Sequence, residues 1–401
     1  MSSHRDIAHV LLTLTSSCNL ACAYCFQNDK KQRVMSWPTL KKSLDWAMAS
    51  DRPEVELTFF GGEPLQEFDS VVRAVDHVET HCPPGKTVCF GMITNGVLLD
   101  DERLAYLQAK QVEVQLSFDG VPRAQAHRGR GTYRMLDRML RRLPRKFPEF
   151  LDRLTVSITL IPATVPYLAD SVAYFMECGV PHIAVSPTFT DSSDWRMDGI
   201  DSLRDQFRPI YRRSVDHYRT TGDVPFQPFR WEGEECVRPD TISMCGVGRG
   251  EVPTVGVDGQ VHACATFDNS LQRHPESLAR RLAMVELPHL DDPDFAHGYS
   301  TLAARVRAAG LFHGKEEKHS AYGECGSCRF LGECGVCPVS IGHIPGNTDP
   351  NRVPDFLCAY NLVALEFRDL FPRPGVPFFR GRGAAMLRRI QPEPARETSN
   401  A

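Results

Sequence analysis

Three cysteines within eight residues, Cys18, Cys22 and Cys25, constrain this chain more than any other feature of its sequence. They lie in Cys18-Asn19-Leu20-Ala21-Cys22-Ala23-Tyr24-Cys25, directly after the apolar run 9–15. Thiolates spaced this closely suit three irons of one cubane iron–sulfur cluster, which ordinarily takes four cysteines. The fourth iron is then open to another ligand, the property that separates catalytic metal sites from closed structural ones. The rival reading is zinc or three unrelated thiols, but zinc sites more often use two C-x2-C-like pairs.

The chain has 401 residues, 42% of them hydrophobic, with 14 cysteines and a formal charge of −4. That length suits one large domain plus a smaller one, or an elaborated single domain. The near-neutral charge points neither toward nucleic acid nor away from it. No run approaches the roughly 18–20 apolar residues of a membrane span, and the N-terminus lacks the apolar core of a signal peptide. Without an export signal, cysteines read as metal ligands or catalytic groups rather than disulfides, so a cytoplasmic protein is expected.

Strand-like runs at 9–15, 55–60, 88–93, 112–117, 154–160 and 183–186 alternate with helix-like stretches at 37–50, 67–80, 101–110, 132–143 and 166–178. Such alternation implies an α/β fold, a parallel sheet covered by helices, either doubly wound or barrel-like. In both, function sits on loops at the carboxyl ends of the strands. The cysteine loop follows the first strand, Gly61-Gly62-Glu63-Pro64 the second, Thr94-Asn95-Gly96 the third and Ser117-Phe118-Asp119-Gly120 the fourth. Each alone is ordinary turn chemistry, since Gly and Asn tolerate left-handed backbone. Four on one rim mark a site.

The C-x3-C-x2-C spacing, with Tyr24 just before the third cysteine, resembles the signature of the radical S-adenosylmethionine (radical SAM) enzymes. The resemblance implies an open, partial (β/α)6 barrel and a [4Fe–4S] cluster on Cys18, Cys22 and Cys25, with SAM chelating the open iron. Reductive cleavage of SAM then yields a 5′-deoxyadenosyl radical that takes a hydrogen atom from substrate, while the protein positions the cofactors. Gly61-Gly62-Glu63-Pro64 matches the family's GGEP motif, which implies contact with the SAM amino group. Glycines permit close backbone approach, and a carboxylate suits an ammonium. Ser117 and Asp119 fall where family members contact the ribose or methionine end of SAM, with Asn95 beside them. The tract from His127 to Tyr133 resembles a segment of peptide-modifying members and makes Arg128 a candidate partner for SAM's carboxylate.

The cysteines return after residue 240. Cys245 and Cys264 frame a C-x13-G-x4-C pattern around a hairpin at Asp258-Gly259. Cys325-x2-Cys328-x5-Cys334-x2-Cys337 and then Cys358 follow. A pair of structural zinc sites is the plainer reading. The pattern resembles the SPASM domain, which implies two auxiliary [4Fe–4S] clusters and so three in all. Cys245, Cys264 and Cys337 would hold the first, and Cys325, Cys328, Cys334 and Cys358 the second. Two departures stand out: two residues lie between the last paired cysteines rather than the usual three, and residues 246–263 hold no extra cysteine. The first auxiliary cluster would then have an open iron, or borrow Cys236 or a non-cysteine ligand. Cys82, Cys89 and Cys178 fit no motif and read as buried small hydrophobes.

The expected division is a radical SAM barrel over 1–190, a bridging region over 191–240 and a SPASM domain over 241–370. A basic, flexible tail over 371–401 completes the chain. The bridge, with no clean period, is expected to hold one or two helices, and Trp195 and Trp231 read as packing residues. The basic stretch 123–146 reads as a solvated helix face rather than a docking surface, and lacks the aromatic interleaving of an RNA site.

Auxiliary clusters suit a reaction that must dispose of an electron. The leading expectation is a radical SAM oxidoreductase that modifies or cross-links a ribosomally made peptide or protein. Its electron donor would be a flavodoxin or ferredoxin, with neither membrane nor nucleic acid as partner. Because the first strand begins by residue 9, no leader-binding module is expected; either a separate protein presents the peptide or the substrate needs no leader. Sulfatase activators place an Asp after the second SPASM cysteine; Ala265 stands there, which counts against that activity. The base is left open among Asp258, His262 and Asp268. Two rivals are dehydrogenation of a sugar or aminocyclitol alcohol and a non-catalytic iron–sulfur or zinc protein.

Overall fold

The computed structural model describes residues 7–28, 31–188, 194–231, 252–268, most of 271–305, 314–337 and most of 340–373. Six strands, β1 (His9–Thr15), β2 (Glu54–Gly61), β3 (Thr87–Thr94), β4 (Glu113–Ser117), β5 (Thr155–Leu160) and β6 (His182–Pro187), pair in parallel. They lie side by side in chain order. A doubly wound sheet reverses its strand order at a switch point; this one never does, so the sheet winds one way, as a partial barrel requires. The short strands β7 (Thr254–Val255) and β8 (Val261–His262) extend it beyond β1 to eight strands. They are joined by the expected turn, with Gly259 in left-handed conformation at φ +94°.

Helices α1 (Trp37–Met48), α2 (Phe68–His81), α3 (Asp101–Ala109), α5 (Thr132–Leu140) and α8 (Leu168–Glu177) occupy the expected connections. Three short helices, α4 (Pro122–Gln125), α6 (Leu143–Lys146) and α7 (Pro148–Asp152), fill the β4–β5 crossover. The expected helix over 132–143 ends at Leu140 and a new turn starts at Leu143, because Pro144 has no N–H to donate to the Leu140 carbonyl four residues back. α1 begins where Ser36 accepts a hydrogen bond from the Thr39 N–H and Pro38 occupies the first turn. Arg134, Arg138, Arg141, Arg142 and Arg145 are exposed, the solvated face expected of this stretch.

The bridging region holds a long helix, as expected, but with a clean period that the sequence reading missed. Helix α9 (Gly199–Thr221) buries Leu203, Phe207, Ile210, Tyr211, Ser214 and Val215, a regular helical stripe. Pro209 and the many Asp and Arg residues on the other faces hide it from composition. Gly222, at φ +81°, ends the helix. α10 (Glu276–Ala283) precedes the carboxy-terminal helix α11 (Asp355–Leu370), which packs on α9. Phe207 is fully buried there and meets the rings of Phe226, Phe229, Tyr360 and Phe367. Trp195 packs on Phe356, and Trp231 lies under Arg368 and Arg373, so both are packing residues.

Cys178 is buried as expected, Cys82 is half-buried against the core, and Cys89 is exposed. Cys89 sits on an outward position of β3 beside Glu54, Glu56 and Glu113, so the apolar expectation fails there. The tail from residue 374, Cys236 and Cys245 lie outside the described residues. Among those residues no helix is long and apolar enough to cross a membrane.

Replacing Phe207 with Ala is expected to cost about 3–5 kcal/mol, because four neighbouring rings lose their common contact. Chemical denaturation should show this as a lower midpoint; an unchanged midpoint would mean that α9 and α11 are not joined through this cluster.

Candidate active site and cysteine cavity

The loops after β1, β2, β3 and β4 meet at the carboxyl ends of the strands, and backbone contacts fix how they meet. The Gly62 N–H donates to the Thr15 carbonyl at 2.7 Å, and the Glu63 N–H to the Ser17 carbonyl at 2.9 Å. A Cβ on Gly62 would stand 2.0 Å from the Ser17 oxygen, and one on Gly61 would stand 2.3 Å from the Thr15 oxygen. Both glycines are therefore required for the β2 loop to lie against the cysteine loop. Gln27 adds a bond from Nε2 to the Gly61 carbonyl at 2.8 Å.

Glu63 is fully buried, and its carboxylate accepts from the Thr94 hydroxyl at 2.6 Å, the Asn95 N–H at 2.8 Å and the Leu65 N–H at 3.1 Å. Burial pushes this carboxyl up, and the three donors oppose the shift. Glu63 thus ties the end of β2 to the end of β3. The Asn95 amide reaches the Asn19 side chain at 2.8 Å and lies 3.9 Å from the Cys18 sulfur. Pro64 opens a 3-10 turn, and Ser117 is half-buried at the end of β4.

Asp119 is the centre of a second group. The Arg128 guanidinium donates to it at 2.8 Å, the Thr159 N–H at 3.0 Å, and the Tyr24 hydroxyl also donates. Asp119 is 1% exposed and Arg128 8%. Burial, ahead of any charge, pushes the Tyr24 phenol well above its ordinary range, so it keeps its proton and serves as a donor. The Ala23 N–H bonds to the His127 carbonyl at 2.8 Å, fastening the cysteine loop to the Arg128 segment. Arg128 also bonds Thr159, while its Nε has no hydrogen-bond partner among the described residues.

Of the three candidate bases, Asp258 is exposed at the hairpin turn, 3.9 Å from Arg33. His262 and Asp268 are buried together, 3.5 Å apart, with the Thr13 hydroxyl of β1 bonded to Asp268 at 3.2 Å. Ala265 is buried in the turn just after Cys264.

Four of the later cysteines, Cys325, Cys328, Cys334 and Cys358, line one cavity of about 220 Å³. The small hairpin of β9 (His319–Ser320) and β10 (Gly323–Glu324) forms one wall, and the first two turns of α11 another. Ser320 donates to the Cys358 sulfur at 3.1 Å, and Asn361, one turn further along α11, donates to the Cys334 sulfur at 3.3 Å. Burial pushes the Cys325 and Cys334 thiols up and carries Cys358 to about 12. Such a set is reluctant to ionise by itself, and a cationic centre among the sulfurs reverses that. Lys315 and Lys318 line the same cavity. Burial pulls Lys318 down and the Cys325 sulfur raises it again. Cys264 and Cys337 are half-buried against the core; Cys264 accepts from the Thr266 hydroxyl at 3.3 Å.

Sequence reasoning did not single out Gln27, Thr159, Lys318, Ser320 or Asn361, and named Thr94 only as part of the β3 loop. Only Asn361 had a local signal, three residues after Cys358 on a helical pattern.

The radical SAM superfamily profile matches residues 12–172, from β1 into α8. Residues 12–172 carry a radical SAM domain. Such a domain implies SAM and a [4Fe–4S] cluster, and the tricysteine loop has the spacing to hold one. An uncharacterized protein of Methanocaldococcus jannaschii is 25% identical over 192 residues, 44% of this chain and 61% of that protein. This chain therefore spans under two thirds of that relative. Mycofactocin maturase MftC of Mycolicibacterium smegmatis is 26% identical over 395 residues, 96% of this chain and 91% of the maturase. A structure of native anSMEcpe with bound AdoMet and the Cp18Cys peptide superposes with a TM-score of 0.67 at 16% identity. It covers 90% of this chain and 96% of that one, so the fold extends through the cysteine-rich half.

Arg128→Met should destabilise the protein by about 3–5 kcal/mol, because Asp119 is left charged and buried. The Asp119→Asn/Arg128→Met pair should recover part of that loss in chemical denaturation. Equal losses in the single and double variants would deny that the charge pair is the cause.

Proposed function

We propose that this protein is a radical SAM oxidoreductase that modifies or cross-links a side chain of a ribosomally made peptide or protein. The observation that carries the reading is the second cysteine group. Cys325, Cys328, Cys334 and Cys358, separated by up to 33 positions, line one cavity. Four thiols, two of them (Cys334 and Cys358) with donors directed at the sulfur, suit an auxiliary [4Fe–4S] cluster. Such a group, when bound, supplies a one-electron acceptor. Cys264 and Cys337, with Cys245, are assigned to a further auxiliary cluster, in keeping with a SPASM domain over 241–370. The end-to-end similarity to a protein named a maturase, and the fold shared with an enzyme solved with a bound peptide, support a peptide or protein substrate.

The chain's own residues then take definite roles. Cys18, Cys22 and Cys25 hold the SAM-binding cluster. Gly61 and Gly62 bring the backbone close, Glu63 and Pro64 shape the loop for the SAM amino group, and Asn95 and Ser117 frame the nucleoside and methionine ends. Asp119 and Tyr24 hold Arg128 in place to meet a carboxylate. Of the acid–base groups near Cys264, the His262–Asp268 pair is buried and 3.5 Å apart whereas Asp258 is exposed, and Ala265 supplies no proton acceptor. A flavodoxin or ferredoxin would deliver electrons in the cytoplasm, and a separate protein would present the peptide.

The test is anaerobic incubation of the reconstituted protein with SAM, a reductant and a peptide encoded beside its gene, followed by mass spectrometry. Production of 5′-deoxyadenosine with loss of two hydrogens from the peptide is expected. Deoxyadenosine with an unchanged peptide would overturn the peptide substrate and redirect the search to small alcohols. Cys22→Ala should abolish deoxyadenosine while leaving the auxiliary iron; deoxyadenosine persisting in that variant would remove the tricysteine loop from the chemistry. Cys334→Ala should lower the iron content, and unchanged iron would count against the second ligand set.

A further inference from the structure

We infer that Lys318 is a positioning residue that sets the reduction potential of the iron–sulfur group held by Cys325, Cys328, Cys334 and Cys358. The inference rests on the assignment of that cavity to a cluster, made above. Lys318 is 4% exposed, lines the cavity and has no hydrogen-bond partner for its Nζ among the described residues. A buried ammonium without a partner is costly, so its presence at a wall of sulfurs calls for an anionic group to face it.

Its placement is built into the backbone. The Lys318 carbonyl accepts the Cys325 N–H at 2.9 Å, so the lysine is fastened to a ligand residue. The β9–β10 hairpin folds the turn at Lys315–Glu317 onto the turn at Cys325–Ser327. There a Cβ on Gly326 would stand 2.9 Å from the Glu316 carbonyl, so the approach needs glycine. Lys315 also lines the cavity, but its Nζ is held by the Leu331 carbonyl at 3.3 Å. The carboxylate residues nearby, Glu316, Glu317 and Glu324, are all exposed, whereas Lys318 is inside. Water screens the acids far more than the buried lysine.

The potential of an iron–sulfur group depends on net charge, on hydrogen bonds to its sulfurs and on solvent exposure. One added electron brings one more negative charge into the cavity, and a fixed buried cation favours that state. Lys318 thus makes this site the better electron acceptor, which suits removal of an electron from a substrate radical.

The experiment is a redox titration followed by electron paramagnetic resonance on the full-length reconstituted protein. The signal that Cys334→Ala removes identifies the site. In Lys318→Met the ratio of oxidised to reduced form at a fixed potential should rise about tenfold, a shift of about 59 mV for one electron. Iron content should be unchanged, and Lys318→Arg should stay near the wild type. If Lys318→Met loses the cluster, Lys318→Gln, which keeps a donor without the charge, takes its place in the comparison. A potential equal to wild type in the neutral variant, with iron intact, overturns the inference and leaves the cluster standing. If Cys334→Ala removes neither iron nor signal, the cluster assignment itself falls.

Discussion

The cysteine loop keeps its shape because two backbone strands approach more closely than any side chain allows. The carbonyls of Thr15 and Ser17 accept the N–H groups of Gly62 and Glu63, and the space a Cβ would need at Gly61 or Gly62 is already occupied by those oxygens. The ends of β1 and β2 are thereby locked, and Glu63 carries the lock to β3 through Thr94 and Asn95. The GGEP loop therefore does two jobs with one sequence. Its glycines seat the cysteine loop and its buried carboxylate aligns the neighbouring strand.

Charge is handled differently at the two sites. At the end of β4 an anion and a cation are buried as a pair, with Tyr24 kept protonated by its burial and donating to the same carboxylate. In the cysteine cavity the thiols are half-buried and Lys318 is buried, with no such ion pair for the lysine among the described residues. The first arrangement pairs its charges within the chain. In the reading proposed above, the second is completed by a group that brings its own charge, which is why the two sites differ in what a variant should reveal.

Much of this was legible along the chain. Strand positions, the rim of loops and the ligand spacings are local properties, since period-two and period-3.6 patterns and short metal-binding spacings need only neighbouring residues. The misreadings have physical causes. The apolar stripe of α9 is spaced regularly but lies among Asp, Arg and Pro209, so composition conceals it. Cys89 was assigned by residue type, yet the outward face of β3 places it among carboxylates. β7 and β8 are two residues each, too short for any periodic signal, and join the sheet only because β1 offers a free edge.

The sequence by itself determined the chemistry available to this protein, because ligand identity and spacing on one loop are set by covalent connectivity. It also determined that six strands would lie parallel, because each crossover is long enough to hold a helix. Only the tertiary structure decided that the strands wind in a single direction, and that Tyr24 of the cysteine loop meets Asp119 after β4. It also brought Lys318 to the wall that Cys358 shares with Cys325 from across the chain. Those are contacts between distant residues, fixed by how helices and hairpins pack, and no local pattern encodes them.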